Sequence, residues 1–345
     1  MRIERTAAPR IALVKLSSLG DVVHALPAAR AIRSWWPRAE LTWVVERREQ
    51  AILMANPDVD HVVPVDTRLW RREFRRPAGA PAVVAKVRSL VRRLAAGRFD
   101  AAVDLQGLWK SGVITALTRA PLRVGLAATH CRERANAWFT NRHVTPPPHA
   151  AHVVDQYLAV VEALGVDLTA VAPPVFPIAR EPDAEAAVAR WLEDEGVKAR
   201  TSLILLNPGS GGDRKRWAVE AFRRLGEELA VRLGARVGIA WGPGEEPLAR
   251  AIAHGMRTGA LVPPPTTITE MVALFRRAAL VVGGDTGPVH VAAVLGVPTV
   301  GLYGPTSAQR NGPYGARVTA LQSPTGQMDG VSVDAVLDAA QALLR

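Results

Sequence analysis

The sequence predicts an α/β protein made of two doubly wound domains, each a parallel sheet covered by helices. Three observations carry the prediction. Short apolar runs with turn residues at their ends alternate with amphipathic segments of helical length in both halves of the chain. The 345 residues make about two typical domains and suffice for two hydrophobic cores. A Pro-rich stretch, VDLTAVAPPVFPIAREPDAE, parts the two sets of runs and resists both helix and central strand.

In chain order, strands are expected at IALVK (11–15), LTWVV (41–45), HVVPV (61–65), AAVDLQ (101–106) and LRVGL (122–126), all in a first domain of residues 1–177. The second domain, 178–345, has LILLN (203–207), RVGIAW (236–241), ALVVGG (279–284) and VPTVGLY (297–303). The division is expected within 173–182. Residues 331–344, VSVDAVLDAAQALL, place apolar side chains at helical spacing and predict a closing helix, with the first domain as one candidate packing surface. Residues 278–305 are long and apolar enough to suggest a membrane span, but Asp285, His290 and several Gly and Pro interrupt them. They read as strand, loop, helix and strand.

With 48% hydrophobic and 22% charged residues the composition is that of an ordinary globular protein, which excludes disordered, collagen-like and fibrous classes. The net charge of +11 is unevenly placed. Residues 1–150 carry 25 Lys and Arg against 12 Asp and Glu, and the remainder carries 18 against 20. The basic half therefore expects an anionic partner: a phosphorylated substrate, an acidic membrane surface or nucleic acid. One cysteine, Cys131, excludes an internal disulfide and suits a reducing compartment. The apolar run at 11–14 is too short for a signal-peptide core, so a cytoplasmic location is expected.

In a doubly wound sheet, ligands bind outside the carboxyl ends of the strands. After the first strand comes LVKLSSLGDVVHALPAAR, where Ser17 and Ser18 can cap a helix and Gly20 permits a tight turn. Asp21 then sits in the first helical turn, either complementing the helix dipole or serving as a general base. His24 reads as a packing histidine. In the second domain three Gly-rich strand-to-helix turns follow one another: NPGSGGDRKRW, WGPGEE and GGDTGPVH. Such turns offer backbone N–H groups and a positive dipole end to nucleotide phosphates. There is no Walker A run and no complete G-x-G-x-x-G, which disfavours P-loop hydrolysis and ordinary NAD binding. Asp58-Val59-Asp60 has a D-x-D form but follows Asn-Pro in a turn context, where Asp serves backbone hydrogen bonds, so no metal site is expected. The run TRLWRREFRRP sets Arg68, Arg71, Arg72, Arg75 and Arg76 beside Trp70 and Phe74. It is either a solvated basic face or a surface that forks onto phosphate, with an aromatic resting at headgroup level.

Taken together, VKLSSLGDVVHALPA, TRLWRREF, DLQGLWKSG, DRKRW, WGPGEE and DTGPVHVAAVLGVPTVGLYGPT resemble the ADP-heptose:lipopolysaccharide heptosyltransferases of glycosyltransferase family 9, its type I branch most of all. The likeness spans residues 11–305, with the motifs in the family's order. It implies the GT-B architecture, two Rossmann-like domains facing across a cleft, and inverting, metal-independent transfer of heptose from ADP-heptose to a Kdo-lipid A acceptor. It also implies a monomer working at the cytoplasmic face of the inner membrane, with no cofactor and no nucleic acid. Carried over by motif, the catalytic base falls on Asp21 and the lysine at the donor phosphates on Lys215. Donor contacts fall on Ser210, Gly211, Glu246, Asp285, Thr286, Gly287 and His290, and acceptor contacts on Arg68, Arg71, Arg72 and Arg132. Two positions depart from the type I pattern: Leu69 stands where another Arg is expected, and NPGSGG is richer in glycine. Another family 9 or GT-B transferase, of type II or with a different donor sugar, is the alternative. A non-enzymatic polyanion binder is a weaker one, since no RNP-like, KH or helix-turn-helix signature occurs.

Overall fold

The structure is a computed structural model that describes residues 3–4, 8–74 and 80–345, with Phe74 described by its backbone only. The chain divides into two units, Met1–Ala179 and Arg180–Arg345. The division lies inside the Pro-rich stretch.

The first unit runs β1 (Arg10–Val14), α1 (Leu19–His24), α2 (Leu26–Trp35), β2 (Glu40–Glu46), β3 (His61–Val65), α3 (Thr67–Phe74), α4 (Ala80–Ala96), β4 (Ala101–Asp104), α5 (Trp109–Leu117), β5 (Leu122–Leu126), β6 (Arg142–Val144) and α6 (Val153–Glu162). Its six strands pair in the order β3-β2-β1-β4-β5-β6, all parallel. Ile11, Ala12, Leu13 and Val14 are fully buried, as continuous apolar strands must be when helices cover both faces. The order places a topological switch between β1 and β4: the chain winds outward through β2 and β3, then returns to the other side of β1. The loops after β1 and β4 are thereby brought together.

The second unit runs α7 (Pro182–Asp194), β7 (Leu203–Asn207), α8 (Val219–Leu233), β8 (Arg236–Ile239), α9 (Glu246–His254), α10 (Ile268–Arg276), β9 (Leu280–Gly284), α11 (Gly287–Val294), β10 (Thr299–Tyr303), α12 (Ala308–Asn311), β11 (Val318–Gln322) and α13 (Val333–Leu344). Its parallel order β11-β10-β9-β7-β8 puts the switch between β7 and β9. The closing helix α13 packs within its own unit. Its buried Val336, Leu337 and Ala340 join the second unit's own core with Leu229 and Leu302. The Trp217 indole N–H donates to the Val331 carbonyl (2.9 Å) just before it, and Arg224 reaches Asp334 at 2.7 Å. The second core lacks a cover on that face, which α13 supplies.

Candidate active site

At the switch point of the first unit, one side chain ties the loops together. Gln106 Oε1 accepts the Leu16 N–H (2.9 Å) and the Ser17 N–H (3.0 Å). From the other side, Glu46 N–H donates to the Leu16 carbonyl at 2.9 Å. Gln106 is itself placed by Asp104, whose Oδ1 accepts the Gln106 N–H at 2.8 Å. Asp104 is fully buried and also takes donors from Gly107, Ser111, Thr115 and Asn136. Burial pushes its carboxyl above the usual range, against these hydrogen bonds.

The loop so fixed ends in Ser18, which precedes α1, and Asp21 stands in that helix's first turn. Its Oδ2 accepts the Ser18 N–H at 3.0 Å and the Ser18 hydroxyl at 2.9 Å. Its Oδ1 lies 3.5 Å from Lys15 Nζ, and the carboxylate keeps 42% of its side-chain surface exposed against 2% for Lys15. Asp21 therefore caps a helix and still presents an oxygen to solvent, so capping does not use up the carboxylate. Lys15 Nζ also donates to Tyr157 Oη (2.5 Å) and the Leu105 carbonyl (3.1 Å). Burial alone would lower its pKa, but Asp21 and Tyr157 outweigh it and hold the ammonium above the usual lysine value. A buried, permanent cation thus braces the Asp21 carboxylate.

The start of α3 is anchored to the same edge. Buried Glu46 accepts the Thr67 N–H at 3.1 Å and the Thr67 hydroxyl, and Lys110 Nζ bridges Glu46 (3.2 Å) and Thr67 Oγ1 (3.1 Å). Arg68, Arg71 and Arg72 follow at helical i, i+3, i+4 spacing and are exposed. Trp70 corrects one expectation: it packs against the core with Leu90 and Leu94 instead of standing beside the arginines at a headgroup surface. Arg75, Arg76 and the Phe74 side chain lie outside the described residues. Arg132 is exposed on the loop after β5, held next to Gly107 by the Glu133 N–H to Gly107 carbonyl bond (3.0 Å). Gly107 has φ +66°, a conformation that requires glycine there. His24 is buried edge-on to His152. Asp58 and Asp60 serve structure: Asp58 is buried 3.0 Å from Arg30, and Asp60 takes Arg33 and the Leu41 N–H.

At the switch point of the second unit, the loops after β7 and β9 meet in the same way. Asn207 Nδ2 donates to Thr286 Oγ1 at 3.1 Å, and Lys215 Nζ lies 2.9 Å from Asp285 Oδ2. His290, one turn into α11 and buried, donates Nε2–H to Asp285 Oδ1 at 3.3 Å. Burial would raise the Asp285 carboxyl, but His290 and Lys215 hold it well below the carboxylate range. Its fixed charge positions the Lys215 ammonium, which remains 35% exposed. Thr286 caps α11 with no side-chain hydrogen bond to the first turn, and Gly287 opens the helix, so its N–H groups and positive dipole end are of the kind that suits an anion. Ser210 Oγ donates to the Gly212 carbonyl (2.9 Å). A Cβ added at Gly211 would meet no atom within 4 Å, leaving that backbone approachable. Glu246 is half-buried and paired with Arg250 at 2.7 Å. Its neighbour Glu245 lies against Gly209 of the phosphate-type loop and accepts the Gly242 N–H at 2.9 Å.

Sequence reasoning missed Lys15, Glu46, Gln106, Lys110, Asn207 and Glu245. Each acts through partners distant in the chain, 142 residues for Lys15 and Tyr157 and 90 for Gln106 and Leu16. The one available signal was position: all but Lys110 end a strand or stand in the loop after it, at a carboxyl edge.

Comparison with known proteins bears on this arrangement. The pattern of glycosyltransferase family 9 (heptosyltransferase) matches residues 87–339. Lipopolysaccharide heptosyltransferase 1 of Pseudomonas aeruginosa is 32% identical over 91% of this chain and 84% of its own length. Lipopolysaccharide heptosyltransferase 1 of Escherichia coli K12 is 28% identical over 97% of this chain and 100% of its own. The solved structure of E. coli heptosyltransferase WaaC with ADP superposes with a TM-score of 0.78 at 26% identity, covering 97% of this chain and 99% of that one. With the family pattern across most of the chain and both parallel sheets shared with these relatives, the protein belongs to glycosyltransferase family 9, the heptosyltransferases, and has the GT-B fold.

Proposed function

We propose that this enzyme transfers heptose from ADP-L-glycero-D-manno-heptose to a Kdo-lipid A acceptor in lipopolysaccharide inner-core synthesis, with inversion and without a metal ion. The observation that carries the reading is Asp21: a carboxylate at the switch point, anchored through one oxygen by Ser18, braced by buried Lys15 and open to solvent. As base it takes the proton of an acceptor hydroxyl while that oxygen bonds to the anomeric carbon and the bond from that carbon to the diphosphate breaks on the opposite face. One displacement inverts the centre, and ADP leaves. Lys215 and the amino end of α11 at Thr286 and Gly287 stabilise the charge gained by the leaving diphosphate, the work a divalent cation does elsewhere. Ser210 and Gly211 take the phosphates, Asp285, itself held by His290, positions Lys215 at the donor, and Glu246 takes the nucleoside. Arg68, Arg71, Arg72 and Arg132 take the anionic groups of the acceptor at the cytoplasmic surface of the inner membrane, to which a monomer binds peripherally. The relatives named lipopolysaccharide heptosyltransferase 1 and the WaaC structure with ADP support the donor and acceptor class.

Incubating the enzyme with a Kdo-lipid A acceptor, ADP- and UDP-sugars and excess EDTA tests this. Transfer from ADP-heptose alone, undiminished by EDTA, is expected. Preference for a UDP-sugar, or loss of turnover restored by Mg²⁺, would overturn it and return Asp58 and Asp60 to consideration.

A further inference from the structure

We propose that a cleft on the first unit, bounded by β3, α3 and α4, binds a phosphate group of the acceptor at a place separate from the exposed arginines of α3. This rests on the reading of the enzyme as a transferase to a phosphorylated glycolipid. The cleft has a volume of about 260 Å³ and is lined by Arg47, Asp66, Trp70, Lys86, Ser89 and Arg93 over an apolar floor that includes Val63 and Leu90. Lys86, Ser89, Leu90 and Arg93 fall at i, i+3, i+4 and i+7 of α4 and so share one helix face.

Two of the three cations already have carboxylate partners. Arg47 Nε meets Asp66 Oδ2 at 2.8 Å, and Lys86 Nζ meets Glu73 Oε2 at 3.2 Å. Among the described residues Arg93 makes a single bond, from one Nη to the Val62 carbonyl at 3.3 Å, which leaves most of its five donors for a ligand. The Trp70 indole N–H is buried with no acceptor among the described residues. A buried donor left this way is costly, and such a group in a native fold calls for a partner. The cleft thus offers the Ser89 hydroxyl and a guanidinium fork beside the Trp70 ring, with positive charge in excess at the rim. A tetrahedral phosphomonoester has oxygens enough for both, and the guanidinium takes two of them in its fork geometry. Two carboxylates oppose the three cations, Asp66 held by Arg47 and Glu73 by Lys86, which leaves Arg93 as the excess charge.

The test uses the full chain labelled with ¹⁵N-tryptophan, the Trp70 indole signal being identified by Trp70→Phe. Titration with inorganic phosphate should shift that signal saturably, chloride at matched ionic strength should not, and Arg93→Gln with Ser89→Ala should weaken phosphate binding at least tenfold. No saturable shift, or an equal response to chloride, overturns the site. A second arm assigns the source: Arg93→Gln should raise KM at least fivefold for a phosphorylated acceptor and leave KM for its dephosphorylated form and for the donor unchanged. If KM for the phosphorylated acceptor does not move while inorganic phosphate still binds, the cleft takes free phosphate and the acceptor assignment fails. Absence of any heptose transfer by the wild-type enzyme would refute the proposed function instead, and the indole titration would still decide whether the cleft binds phosphate.

Discussion

Gln106→Met removes the oxygen that accepts the Leu16 and Ser17 N–H groups and keeps the length of the side chain. Leu16 is 0% exposed and Ser17 8%, so water reaches neither donor readily. Each buried N–H left without an acceptor costs about 1–3 kcal/mol, and allowing for some rehydration at Ser17 the pair costs about 2–3 kcal/mol. For a unit of this size about 2–4 °C accompany each kcal/mol, so the melting temperature should fall by roughly 4–12 °C. Turnover should fall further than stability suggests, because the clamp fixes the loop that leads into α1 and Asp21; a shift of about 1 Å in a reacting group costs on the order of 100-fold in rate. Gln106→Glu keeps the accepting oxygen and should lose less than half as much of both. Circular dichroism melts and steady-state kinetics on the three proteins read the two effects. A Gln106→Met enzyme that melts within about 1 °C of wild type and turns over within about twofold would refute the clamp.

Replacing Arg68, Arg71 and Arg72 together should raise the acceptor KM by about tenfold or more with the donor KM unchanged, and added salt should shrink the difference; single replacements should do little, since exposed pairs are worth about 0–1 kcal/mol each. Asp285 is ionised well below the usual carboxylate range in the folded protein, so its contribution is present above about pH 4 and is lost as the pH falls toward its folded value. Asp285→Asn should therefore destabilise by about 1–3 kcal/mol at pH 7, and the gap in melting temperature should narrow at pH 3. The Cys131 thiol is pushed up to about 11 by burial and by Asp104, so alkylation by iodoacetamide at pH 8 should be about two orders of magnitude slower in the folded than in the denatured protein. Equal rates would show that the thiol is not so enclosed.

The sheets were legible because a parallel strand buried on both faces must be an unbroken apolar run, as at 203–207, where all five residues are buried. Two strands escaped that signal. β6 (Arg142–Val144) and β11 (Val318–Gln322) are sheet edges with half-exposed polar residues, and nothing local marks them. The site was legible where chemistry sits in a local motif. Asp21 follows S-S-x-G, and Asp285 to His290 open a helix after a strand. What supports those residues was not: Lys15 reads as the last residue of an apolar strand until Tyr157 is folded beneath it. Glu245 and Glu246 are adjacent and chemically identical, and only the turn of α9 decides which carboxylate lies against Gly209. Trp70 looked like a companion of the arginines because sequence proximity hides the opposite faces of one helix.

The most direct test of the account is turnover by Asp21→Asn, a substitution that keeps the shape and the bond from the Ser18 N–H but cannot hold a proton taken from the acceptor. The variant should fold, melt within a few degrees of wild type and bind ADP-heptose with unchanged affinity, while kcat falls by about 10² or more. Turnover within a few fold of wild type would contradict the assignment of Asp21 as the base.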